Sequence, residues 1–85
     1  MLQIEERILE QLNDEGWSTP KTIASNHRLH ELNADALVVE RRLNVLVARE
    51  LAAPEAGGYE ITTWGQAYLR GDLDAGYLPR HPRTQ

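Results

Sequence analysis

Cysteine is absent from the 85 residues. That excludes a disulfide framework, a thiolate zinc site and a cysteine nucleophile. No stretch approaches the roughly 18 consecutive apolar residues of a membrane span. The opening residues also lack the basic region and apolar run of a secretory leader. The expected address is therefore cytoplasmic, with no membrane partner. A glycine-rich phosphate loop is missing, and so is any serine–histidine–acid grouping in a supporting context. Neither an enzyme nor a cofactor is expected. There is no internal repeat and no low-complexity segment. A chain of 85 residues buries only about 60–65% of the surface its unfolded form exposes. That suffices for one domain with a thin core, and is too little for a dinucleotide-binding α/β unit or a large catalytic cleft.

Lysine is nearly missing as well, since Lys21 stands alone among nine cations, the rest being arginine. Arginine and acid are unevenly spread under the net charge of −4. Glu5, Glu6, Glu10, Asp14 and Glu15 face only Arg7 in residues 1–15, a balance of −4. Residues 16–49 set Lys21, Arg28, Arg41, Arg42 and Arg49 against Glu31, Asp35 and Glu40, a balance of +2. Acids dominate again from 50 to 76, so the middle third is the basic part of the expected domain. Few lysines beside many acids resembles the composition of proteins from salt-loving archaea.

Hydrophobic spacing orders the chain. Ile4, Ile8 and Leu12, with Leu9 beside them, predict an amphipathic first helix stopped by Gly16. Ser18-Thr19-Pro20 is a helix start, because proline fits the first helical position where no amide donor is required. The second helix is expected from Pro20 to about Asn26, with Ile23 and Ala24 inward. Residues 27–32 either extend it or form a long turn. Asn33 then reads as the cap of a third helix over Ala34 to about Glu50, with Val39, Leu43 and Leu46 as its inward stripe. Leu51–Ala53 and Tyr59–Thr62 flank Pro54, Gly57 and Gly58, which predicts a hairpin. Thr62 or Thr63 caps a last helix from Trp64 to about Leu69, which Gly71 ends or frays, with room for a further turn at Leu73. Trp17 and Trp64 are expected as core anchors. The fold class is mainly α with a small β-hairpin. Three helices, a hairpin and a last helix make the winged helix-turn-helix plan, whose third helix enters the DNA major groove. Residues 1–76 form the domain on this reading, and 77–85 a flexible C-terminal tail.

The hairpin-to-last-helix stretch Tyr59-Glu60-Ile61-Thr62, Gly65, Tyr68-Leu69, Gly71, Leu73-Asp74-Ala75 resembles the haloarchaeal phage phi-H repressor-like winged-helix family. Ile8-Leu9 with Leu12, Trp17 with Thr19-Pro20 and Ile23-Ala24, and Arg41-Arg42-Leu43 with Leu46 fit the same family, so the likeness spans residues 4–76. The resemblance implies sequence-directed binding of double-stranded DNA and control of transcription, usually by a dimer. Relative to the short turn such folds place between their second and third helices, the 27–32 connection is about five residues longer.

On a helical wheel Arg41 and Asn44 oppose the Val39–Leu43–Leu46 stripe, and Arg42 lies on a flank. Arg41 and Arg42 are the leading DNA contacts, because arginine pairs bidentately with guanine or clamps a phosphate. The alternative for both is a surface ion pair with Asp35 or Glu40. Val38 meets a thymine methyl or packs, and Lys21 and Arg28 meet phosphates or lie on a plain surface. Asn33 and Asn44 complete the expected DNA-binding set. The hairpin carries Glu55 and Glu60 and no cation, so it is not expected to track phosphates. His27, His30 and Glu31 lack a fourth ligand, and no metal is expected. Ile4, Ile8 and Leu12, with Tyr68, Leu69 and Leu73, are the expected homodimer elements. The competing reading is a winged-helix protein-interaction module that does not bind DNA, motivated by the apolar third helix and the acidic hairpin.

Overall fold

A computed structural model describes residues 1–72. The extra turn expected at Leu73 and the tail 77–85 lie outside the described residues. The order is α1 (Gln3–Glu15), α2 (Pro20–Ala24), α3 (His27–His30), α4 (Ala36–Ala48), β1 (Ala52–Glu55), β2 (Gly58–Ile61) and α5 (Thr63–Leu69).

Helix α1 opens with Glu5 and Glu6 in its first turn, where carboxylates favour the positive end of the helix dipole. Glu5 also reaches back to accept from the Leu2 amide at 3.3 Å. Ile8, Leu9 and Leu12 are buried on one side, and the Gly16 amide closes the helix on the Leu12 carbonyl at 2.9 Å. After Gly16 the chain is extended. Ser18 is buried and exchanges both backbone hydrogen bonds with Tyr59, at 3.1 and 2.9 Å. Side chains alternate along extended backbone, so burying Ser18 turns Trp17 outward. The expectation that Trp17 anchors the core is therefore corrected, since it is 46% exposed. Trp64 does join the core.

Thr19 caps α2, its hydroxyl oxygen accepting from the Thr22 amide at 3.1 Å, with Pro20 in the first turn. The next segment neither extends α2 nor forms a long turn. Asn26 accepts from the Arg28 amide at 2.9 Å and starts the one-turn helix α3, which sinks Leu29 fully into the core. Asn33 is not the cap of the following helix, a second correction. It takes a left-handed conformation, φ 54°, in the turn after α3. Asp35 caps α4, accepting from the Val38 amide at 3.0 Å. Helix α4 buries Val39, Leu43 and Leu46 and closes with the Leu51 amide on the Leu46 carbonyl, with Glu50 left-handed between.

The hairpin is tighter than the sequence suggested. Ala56 and Gly57 alone make the turn, both at positive φ (49° and 83°), as a two-residue turn matched to strand twist requires. Glu55 faces Gly58 across the turn and Pro54 faces Tyr59. In antiparallel pairing, hydrogen-bonded and non-bonded pairs alternate. With Glu55 and Gly58 closing the turn, Pro54 stands where no ladder amide is required, and the outward groups of Tyr59 are the ones that bind Ser18. Thr62 joins three elements: its hydroxyl donates to the Glu50 carbonyl, its amide donates to the Leu51 carbonyl, and its hydroxyl oxygen accepts from Gly65 to cap α5. Helix α1 lies at the centre, packed on α3, α4, α5 and β2, while α2 packs chiefly on α4.

Candidate nucleic-acid interface

Burial of Val39, Leu43 and Leu46 fixes which side of α4 is left outside. At 100° per residue, positions 37, 41, 44 and 48 fall together on the opposite side. Leu37, Arg41, Asn44 and Ala48 are indeed exposed, flanked by Val38 and Glu40. Helix α2 packs beside α4 and shows Lys21, Thr22 and Ser25 to solvent.

The cations divide sharply between this face and the rest of the fold. Arg42 points to α1, donating to Glu5 at 3.0 Å, and Glu5 is buried. Arg28 pairs with Asp14 near the end of α1. Arg7 holds Glu10 at 2.8 Å and approaches Glu6, and Arg70 holds Asp72 at 3.1 Å. Lys21 and Arg41 have no hydrogen-bond or ion-pair partner among the described residues. Of the residues expected to meet DNA, Val38, Arg41 and Asn44 share the outer face of α4, with Lys21 on the adjoining α2. Arg42 and Arg28 are held by α1 acids and Asn33 sits in a turn, so these three do not join the face. Leu37 was not singled out from the sequence. At 56% exposure it is the most exposed large hydrophobic residue of the described chain, and its spacing of four from Arg41 is the signal that finds it.

The hairpin packs its first strand on α4 and its second on α1 and α5, and carries no cation. Trp17 fixes it: the indole Nε1 donates to the Glu55 carbonyl at 2.6 Å and the ring lies flush on Gly58. A β-carbon added at Gly58 would come within 2.5 Å of that ring. His27 and His30 are exposed on α3, and no group of three histidines or acids among the described residues is placed to hold a metal ion.

The expected dimer elements are also redistributed. Ile8 and Leu12 are 0% and 1% exposed within the chain's own core, because α1 is the central helix. They have no surface left for a second copy. Ile4, Tyr68 and Leu69 are half-buried, with the Tyr68 hydroxyl donating to Glu6 at 2.5 Å, and Leu73 lies outside the described residues. No helix among the described residues is long and apolar enough to cross a membrane.

A helix pair with one exposed outer face, a hairpin after it and a closing helix on the first define the winged helix-turn-helix class. Within that class the chain is similar to the PhiH1 repressor-like protein from Haloarcula marismortui. That crystal structure matches with a TM-score of 0.79 at 38% identity, over 88% of this chain and 83% of the other. The chain belongs to the PhiH1 repressor-like family. No protein-family model matches it, and no curated protein matches its sequence.

Proposed function

We propose that the protein is a non-enzymatic, DNA-binding regulator of transcription, of the repressor kind, that reads the major groove of a specific duplex site with α4. The observation that carries this reading is the outer face of α4. Arg41 is unpaired there on the same face as Asn44, with Lys21 exposed on the adjoining α2, while α1 engages three other arginines. Arg41 pairs bidentately with a guanine edge and Asn44 with an adenine edge. Lys21 and the backbone amides at the start of α2 meet phosphates and set the register. Exposed Glu40, beside Arg41 on the same helix, repels the phosphates of any duplex, so binding depends on base-edge contacts to offset it. Membership of the repressor-like family supports the same reading.

The regulator acts as a homodimer on two equivalent half-sites about one helical turn apart. Leu2, Ile4, Tyr68 and Leu69, where α1 meets α5, supply its contact surface. Sedimentation at micromolar concentration is expected to show a dimer, and a strict monomer would overturn that element.

The central test is selection from random duplex DNA at about 0.2 M and about 2 M KCl. The expected result is one palindromic site, enriched at both salts and lost in an Arg41→Glu variant. No enrichment from folded protein overturns the reading in favour of a protein-interaction module, for which exposed Leu37 and Val38 would be the contact patch.

A further inference from the structure

Four large hydrophobic side chains are exposed in the described chain: Leu2, Trp17, Leu37 and Val38. Trp17 is accounted for by its seat on Gly58 and Glu55. Leu37 and Val38 are different. They are adjacent, they occupy the first turn of α4, and the core beneath them is already filled by Val39, Leu43 and Leu46. Leu37 stands one turn before the unpaired Arg41 on the same face. Residues in the first turns of a groove-binding helix are the ones that reach base edges.

Resting on the DNA-binding reading above, we infer that Leu37 and Val38 are specificity-determining residues that recognise the C5-methyl groups of thymines in the major groove. The thymine methyl is the apolar feature of the major-groove edge, and aliphatic side chains read it by contact. Two physical features of this chain favour such a reader. The face carries one arginine and an acid, with one lysine on the adjoining α2, so phosphate neutralisation supplies only a small part of the affinity. An acidic, lysine-poor chain of this composition also suits concentrated salt, where charges are screened beyond about 3 Å at 1 M while apolar contact is not. The half-site is then thymine-containing, next to the guanine that Arg41 pairs with.

The experiment removes only the methyl. Each thymine of the selected site is replaced singly by 2′-deoxyuridine, and binding is titrated with wild type and with Leu37→Ala. A buried methyl is worth about four-fold in affinity. The expected result is a loss of about that size at one or two thymines of each half-site, with the remaining positions silent. Leu37→Ala should weaken binding comparably on the thymine site and no longer distinguish uracil at its own position, the non-additivity that marks a direct contact. Leu37 is 56% exposed, so the variant is expected to unfold at the wild-type temperature, which separates this loss from misfolding. A selected site at which every uracil substitution is silent overturns the inference and leaves the DNA-binding reading standing. Leu37→Ala that weakens thymine and uracil sites equally, or that instead abolishes self-association, also overturns it. Failure to select any site removes both together.

Discussion

Arg41 and Arg42 are neighbours in sequence with opposite surroundings, and the difference is measurable residue by residue. Arg42 answers Glu5, a buried carboxylate whose other hydrogen bond is to the Leu2 amide. Replacing Arg42 by Ala leaves that carboxylate desolvated and short of a partner. The expected cost is about 1–3 kcal/mol in urea unfolding, with DNA affinity affected only through the folded fraction. Replacing Arg41 by Ala removes no contact of the fold, so stability is expected to stay within about 0.5 kcal/mol. Site-specific affinity should instead fall by about 1–3 kcal/mol, the worth of a bidentate base pair contact. The reverse pattern would show that Arg42 is the reader. A second residue-scale case is Gly65 in α5, where a β-carbon would run into the Leu51 carbonyl oxygen and the Ile61 side chain. Both obstacles belong to the joint between α4, β2 and α5, and the carbonyl oxygen is backbone that cannot swing aside. Gly65→Ala is expected to cost at least about 2 kcal/mol despite the better helix propensity of alanine, because overpacking outweighs propensity there. Thermal unfolding that shows a stabilised variant would contradict that packing.

At the scale of elements, the start of α4 separates two caps that look alike in sequence. Asn33 and Asp35 are both good capping residues, but only Asp35 accepts from the helix, while Asn33 occupies a left-handed turn. Asp35→Ala is therefore expected to cost about 1 kcal/mol, whereas Asn33→Gly, which suits positive φ, should be neutral to slightly stabilising. Equal losses at the two positions would restore the sequence-based start. The hairpin offers a gain instead: Ala56 holds φ 49° without the side chain that favours it, and Ala56→Asn should stabilise by about 0.5–1 kcal/mol through the Asn-Gly turn preference. These cases also mark what the sequence makes legible. Local chemistry is visible in it: Thr19-Pro20, Thr62 as one of two candidate caps, the Val39–Leu43–Leu46 stripe and the order of the elements apart from α3 match the fold. What depends on distant partners is not visible. α3 forms because Leu29 finds a place in a core built from five other elements, and Trp17 faces outward because Ser18 pairs with Tyr59. The site is split in the same way. Arg41 and Asn44 are placed by periodicity alone, while the fates of Arg42 and Arg28 depend on acids 37 and 14 residues away in the chain.

Over the whole molecule, the division of charge predicts how binding responds to salt. A protein that neutralises six to ten phosphates shows a slope of log affinity against log salt of roughly −5 to −9. Here α1 binds Arg7, Arg28 and Arg42 with its own acids, and the proposed function assigns Arg41 to a base. Arg70 is paired with Asp72, and Arg49 lies beyond the end of α4. Lys21 is then the cation that the proposed docking sets on phosphate in each protomer, so a dimer is expected to show a slope of only about −2. Affinity for the selected site would then fall by about a hundred-fold over a ten-fold rise in KCl, where an ordinary basic binder loses five orders of magnitude or more. Arg80 and Arg83, outside the described residues, are separated from this total by measuring an Arg80→Gln/Arg83→Gln variant alongside. A slope steeper than about −5 that survives in that variant would mean that α1 releases its arginines to DNA on binding. Arg28→Gln and Arg42→Gln, each removing one cation from both protomers, would then each make the slope shallower by about two. If the slope is shallow and those two variants leave it unchanged, the ion pairs on α1 persist in the complex. The acidic helix would then serve to withhold positive charge from nonspecific DNA, leaving recognition to Arg41, Asn44 and the apolar turn before them.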